Sequence, residues 1–107
     1  MQRPMILKCM VSWSEETPSM YHVSTNQFDG TEVVFKTSQY NVQLNEPITA
    51  EKPAVVGWVS VTQEAKQGKL VAITLPSPSI NFGKNISVDE TQLLPLGVSI
   101  ANFGGHK

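Results

Sequence analysis

Arginine and cysteine are almost missing from this chain: Arg3 and Cys9 are the single examples of each. One arginine leaves little scope for the planar, two-pronged recognition of phosphate or guanine that guanidinium groups provide. One cysteine forbids an intrachain disulfide and any cysteine-built zinc site. Cys9 lies in the apolar run "MILKCMVSW" with no basic or histidine neighbour, so it reads as a small buried hydrophobe and not as a reactive thiol. Charge of either sign is also scarce. Charged residues make up 16% of the chain, its formal net charge is −1, and no run of one sign occurs. The clustered basic face expected of a duplex-DNA binder is therefore missing.

Long apolar stretches are missing too. No window approaches the roughly 18 apolar residues of a membrane span. Lys8 interrupts the apolar segment near the start and no small-residue cleavage site follows it, so a signal peptide is not expected. The expectation is a soluble, cytoplasmic protein, in the host cytoplasm if the chain comes from a phage. Metal and phosphate chemistry find no support: there is no Asp-x-Asp ladder, no His-x-x-x-His and no glycine-rich loop ahead of a helix. No cofactor or metal is expected.

Catalytic constellations are equally thin. The histidines are His22 and His106, and His106 is next to last. His22 is the single plausible general base, with Asp29 or Glu32 to orient it, and no Gly-x-Ser-x-Gly elbow is present. The adjacent pairs Glu15-Glu16 and Asp89-Glu90 read as solvated turn charge and helix-start capping. The sequence predicts a protein that is not an enzyme.

What is abundant is alternation. Met5, Leu7, Cys9, Val11 and Trp13 are apolar at every second position, which is strand periodicity with one face buried. "SEETPS" breaks it, Tyr21 and Val23 resume it, and Asp29-Gly30 in "STNQFDG" marks a turn. Thr31–Lys36 predicts a third strand and Tyr40–Leu44 a fourth. "NEPITAEKP", Asn45 to Pro53, reads as a loop that crosses the fold. Residues 54–62 are apolar on both faces and predict a central strand, with Gly57 marking a bulge or a close backbone approach. "QEAKQG" predicts a hairpin loop, and "KLVAITLP" the returning strand, stopped by Pro76 and Pro78. "NISV" is a short strand, "SVDE" at Ser87–Glu90 fits a capping box before a helix of at most two turns, and "LGVSIANF" is a last strand ahead of a frayed tail at 103–107.

The whole chain, 1–107, therefore predicts one all-β domain: a small antiparallel barrel (OB-like) or a sandwich, with seven to eight short strands and at most one short helix.

Two kinds of function fit. In the leading one the chain is a binding or assembly module acting through protein contacts, as an oligomer or with a protein partner; phage and plasmid accessory proteins are often of this type. Met5, Ile6, Met10, Val56 and Trp58 are the interface candidates, because their segments carry apolar residues on both faces. In the alternative the chain binds single-stranded nucleic acid, stacking bases on loop aromatics while lysines follow the backbone. Lys36, Tyr40, Lys66, Lys69, Phe82 and Lys84 are its candidates.

A further pattern is the aromatic set between Asn and Gly, in "NQFDG", "SINFGKN" and "SIANFGGHK". Each falls where a strand pattern stops, and Asn and Gly tolerate the positive φ of turns, so these read as turns with an aromatic plug. Phe82, with Lys84 close behind it, is the one that stands out as a ligand contact.

Overall fold

The computed structural model describes residues 2–17 and 19–96, and within them the chain is all-β. Eight strands are present: β1 (Arg3–Trp13), β2 (Met20–Asn26), β3 (Glu32–Ser38), β4 (Val42–Leu44), β5 (Ala54–Gln67), β6 (Leu70–Ser79), β7 (Gly83–Asp89) and β8 (Leu93–Pro95). The helical content is two single 3-10 turns, Gln39–Asn41 and Glu90–Gln92.

β1 and β5 form the spine, antiparallel from Arg3 opposite Gln63 to Ser12 opposite Ala54. The far edge of β1 is shared: β2 takes its second half and β8 takes Met5–Leu7. The far edge of β5 is shared in the same way, by β4 at Gly57–Val59 and by β6 from Thr62 onward. β3 extends the sheet beyond β2 and β7 extends it beyond β6.

The sheet then curls until its ends meet. The Ile80 amide, one residue past β6, donates to the Val34 carbonyl of β3 at 3.0 Å. The Phe28 amide of the β2–β3 turn donates to the Ser87 carbonyl of β7 at 2.8 Å. Around the ring the strands run β1, β2, β3, β6, β5 and back to β1. This is a curled antiparallel half-barrel, its ends joined by these two hydrogen bonds. A curled sheet of this length needs closure because a flat one would expose two unpaired edges.

The inward positions of each strand are apolar, as the period of two requires. Leu7, Val11, Val23, Val33, Phe35, Val59, Ile73 and Val88 are almost wholly buried in one interior cluster. Gly57 has ordinary backbone angles; its role is space. A Cβ there would lie 2.7 Å from a Val11 methyl, 3.1 Å from Leu44 and 3.2 Å from the Gln43 carbonyl. This is the close approach expected of a glycine in a central strand.

Several boundaries differ from expectation. The stretch read as a hairpin loop, 63–68, is mostly strand: β5 runs to Gln67 and the turn is Gly68-Lys69, with Gly68 at φ +62°. A bulge between Gln63 and Ala65 absorbs the change of register. Pro76 and Pro78 do not end β6, because they fall between Thr74 and Ser79, where β6 has no ladder partner on β7 and a missing N–H costs nothing. The fourth strand loses its first residues to the 3-10 turn at Gln39–Asn41, which Ser38 caps. The capping box lies two residues later than read: Asp89 and Gln92 form it, around a single 3-10 turn, while Ser87 belongs to β7. The expected last strand at 96–103 and the tail lie outside the described residues, except for Leu96.

Candidate functional site

A groove of about 910 Å³ lies on the outer surface of β2 and β3. That is within the range of ordinary ligand sites. Its floor follows from strand alternation. Tyr21, Val23, Val33 and Phe35 point inward, so Met20, His22, Val34 and Lys36 must point out. His22 and Lys36 are cross-strand partners, directly opposite in the register.

Two connections wall the groove. One is the β1–β2 loop, held by Ser14 N–H to the Met20 carbonyl at 3.0 Å and by Thr17 N–H to Ser14 Oγ at 3.2 Å. Ser19 closes this loop in the left-handed region, φ 68°. The other wall is the β6–β7 connection, tied to β3 through Ile80. Trp13 and Ile80 stand at the two walls, 48% and 75% exposed. Trp13 meets Tyr21 in a tilted contact, ring centroids 4.6 Å apart and planes at 44°, and about half of it stays exposed.

The charges sit at the β1–β2 wall. Glu16 reaches across to form an ion pair with Lys36. Its carboxyl is held below the usual range by the hydrogen bond and positive charge of Lys36, with a smaller pull from His22. Glu15 is also at the rim. A second groove, lined by Ile48, Thr49 and Pro53, adjoins the first and shares Ser12, Trp13 and Glu15 with it.

The residues singled out from sequence are distributed as follows. Lys36 is on the groove floor. Tyr40 is 91% exposed on the 3-10 turn after β3. Phe82 is partly covered, its amide donating to Ser79 Oγ at 2.9 Å, and Lys84 starts β7. Lys66 pairs with Glu90 at 2.9 Å. Lys69 is in the β5–β6 turn, where its carbonyl accepts from the Glu90 amide. Leu70 is opposite Asp89 and Ser79 is opposite Gly83. Lys69 and Lys84 therefore belong to opposite ends of the β6–β7 hairpin, roughly 20 Å apart by strand rise. The six do not converge.

Of the apolar set, Met5 belongs to the interior cluster. Ile6 and Trp58 are buried although they lie on the outward parity of β1 and β5, and among the described residues Trp58 Nε1 has no hydrogen-bond partner. Met10, 43% exposed, and the half-buried Val56 are register partners and form the accessible part of that face.

Sequence reasoning passed over Trp13, Met20 and Ile80. Trp13 reads as the last inward residue of an alternating strand, and only the strand's end at the barrel mouth exposes it. The signal for Ile80 was within reach: an isoleucine inside "PSPSINFG", where the turn residues leave no core to enter.

Among the described residues no group of three or more His, Cys, Asp or Glu is placed to hold a metal ion. No helix among them is long and apolar enough to cross a membrane. No family model matches the chain, and neither a curated protein nor a solved structure does so.

Proposed function

We propose that the β2–β3 groove binds single-stranded nucleic acid, with a base stacked on Trp13 and the backbone passing over Lys36 and His22. The observation that carries this reading is the coincidence of two features in one groove. Trp13, half-exposed at the end of β1 where the barrel opens, lines the same groove as the cross-strand pair His22 and Lys36 on the outer face of β2 and β3. In OB-like barrels that face takes oligonucleotides and oligosaccharides. Stacking tolerates any base, because each has a π-face, and so needs no hydrogen-bond code. The net charge of −1 goes with a site that relies on stacking more than on phosphate neutralisation. The test is anisotropy of a labelled oligothymidylate of roughly 15 nucleotides titrated with the protein at low salt. Saturable binding that Trp13→Ala weakens supports the reading; no binding at tens of micromolar protein overturns it.

A second reading, assembly through protein contacts, draws on the paired Met10 and Val56 on the outer face of β1 and β5. It expects a mass above that of the monomer in light scattering, restored to the monomer by Met10→Lys.

A further inference from the structure

We propose that Glu16 is a gate on this groove: its carboxylate occupies, on Lys36, the place that a backbone phosphate takes in the complex. The inference rests on the nucleic-acid reading of the groove and adds to it a residue that sets affinity.

Three features support it. First, Lys36 is the single lysine on the groove floor, and Glu16 holds it. Second, Glu16 is carried on the connection between β1 and β2, outside any strand, and its side chain is 80% exposed. Third, His22 stands opposite Lys36 in the register, so the ion pair of Glu16 with Lys36 forms beside an imidazole. An anionic oxygen that accepts from a lysine ammonium next to an imidazole is the arrangement a phosphate oxygen would adopt.

An exposed ion pair of this kind is weak. A phosphate that arrives with a stacked base displaces it, whereas a free anion of the same charge has no stacking to add. The gate therefore selects a polyanion that carries aromatic bases over other anions. Glu15 provides an internal control. It lies beside Glu16 at the same rim, and among the described residues it forms no ion pair. Removing its charge changes the general field of the groove but releases no lysine.

The experiment compares wild type, Glu16→Gln, Glu15→Gln, Lys36→Gln and the Glu16→Gln/Lys36→Gln double variant, with an oligothymidylate of roughly 15 nucleotides as probe. Glu16→Gln is expected to tighten binding roughly three- to fivefold at low salt, the scale of one exposed ion pair. Glu15→Gln should tighten it less. In the Lys36→Gln background, Glu16→Gln should have no more effect than Glu15→Gln, because the pair is already broken. The salt slope should steepen in Glu16→Gln by less than one unit, since Lys36 then exchanges a salt ion in place of a carboxylate. Equal gains from Glu15→Gln and Glu16→Gln, or an undiminished Glu16→Gln gain without Lys36, overturn the gate and leave the groove reading standing. No binding by any of the five proteins overturns the groove reading itself. Binding by Glu16→Gln alone supports both.

Discussion

Trp13 and Tyr21 are register partners at the open end of the β1–β2 pair, and their rings meet at 4.6 Å although one residue is buried and the other half-exposed. Tyr21 belongs to the interior cluster, so it anchors the indole from below. The side chain that meets solvent at the groove is therefore oriented before any ligand arrives, and a stacked base would not have to immobilise it. Trp13→Ala is expected to weaken oligonucleotide binding roughly five- to a hundredfold, the scale of one base–aromatic stack at about 1–3 kcal/mol. Trp13→Phe should recover most of the loss. Indole fluorescence provides the direct readout, with quenching on binding expected from Trp13, since Trp58 is buried.

Gly57→Ala should destabilise the fold. The added methyl would meet a Val11 methyl at 2.7 Å, with Leu44 at 3.1 Å and the Gln43 carbonyl of β4 at 3.2 Å, so relief requires Val11 or β4 to shift. Overpacking of this kind costs about 1–3 kcal/mol. Denaturant unfolding of the variant should show a lower midpoint with an unchanged slope.

Cys9 should be inert while the protein is folded. Burial pushes its thiol well above the ordinary value, and the hydrogen bond with Thr25 offsets only part of that. A thiol needs its thiolate to react. A disulfide reagent added to native protein should give almost no colour, followed by one equivalent on addition of denaturant. Rapid labelling of the native protein would contradict the packing of β1.

Acid should loosen the turns first. Asp89 has its carboxyl below the ordinary 3.8 because the Thr91 hydroxyl and amide both donate to it. Asp29 is held down in the same manner by Thr31. A depressed folded value means that the stability is present above the unfolded value and is lost as pH falls through the folded one. Melting temperature should hold steady down to about pH 4 and then decline. Asp89→Asn, which can still cap the 3-10 turn, should flatten part of that decline while leaving neutral-pH stability nearly intact; Asp89→Ala should lower both.

The strands were legible in the sequence wherever one face is buried and the other wet. Met5 to Trp13 alternate cleanly, and β1 runs through all of them. Gly57 was legible as well, since a glycine amid valines in a central strand has few explanations. Strand ends were less so. Gln63 to Gln67 are polar and read as a loop, yet they form ladder pairs with β6, because backbone hydrogen bonding at an exposed hairpin does not depend on apolar side chains. Pro76 and Pro78 read as a stop, and only the gap in the β6–β7 ladder explains why β6 continues past them. The groove was the least legible part. It is made by the curl of the sheet, which brings Ile80 to Val34 across 46 positions of sequence. The lysines looked related because each lies near a turn, but turns at the two ends of a hairpin are far apart. Of the lysines and aromatics that the sequence offers for nucleic acid, Lys36 lies in the groove, as does His22, the histidine the sequence singles out; Glu16, the partner of Lys36, reads from sequence as solvated turn charge.

The most direct test of the account is the salt dependence of oligonucleotide binding by wild type and Trp13→Ala. The account predicts micromolar binding at low salt, a shallow slope of roughly −0.7 from Lys36, and a large loss in Trp13→Ala with the slope unchanged. Absence of binding at low salt, or binding that Trp13→Ala leaves intact, would contradict it.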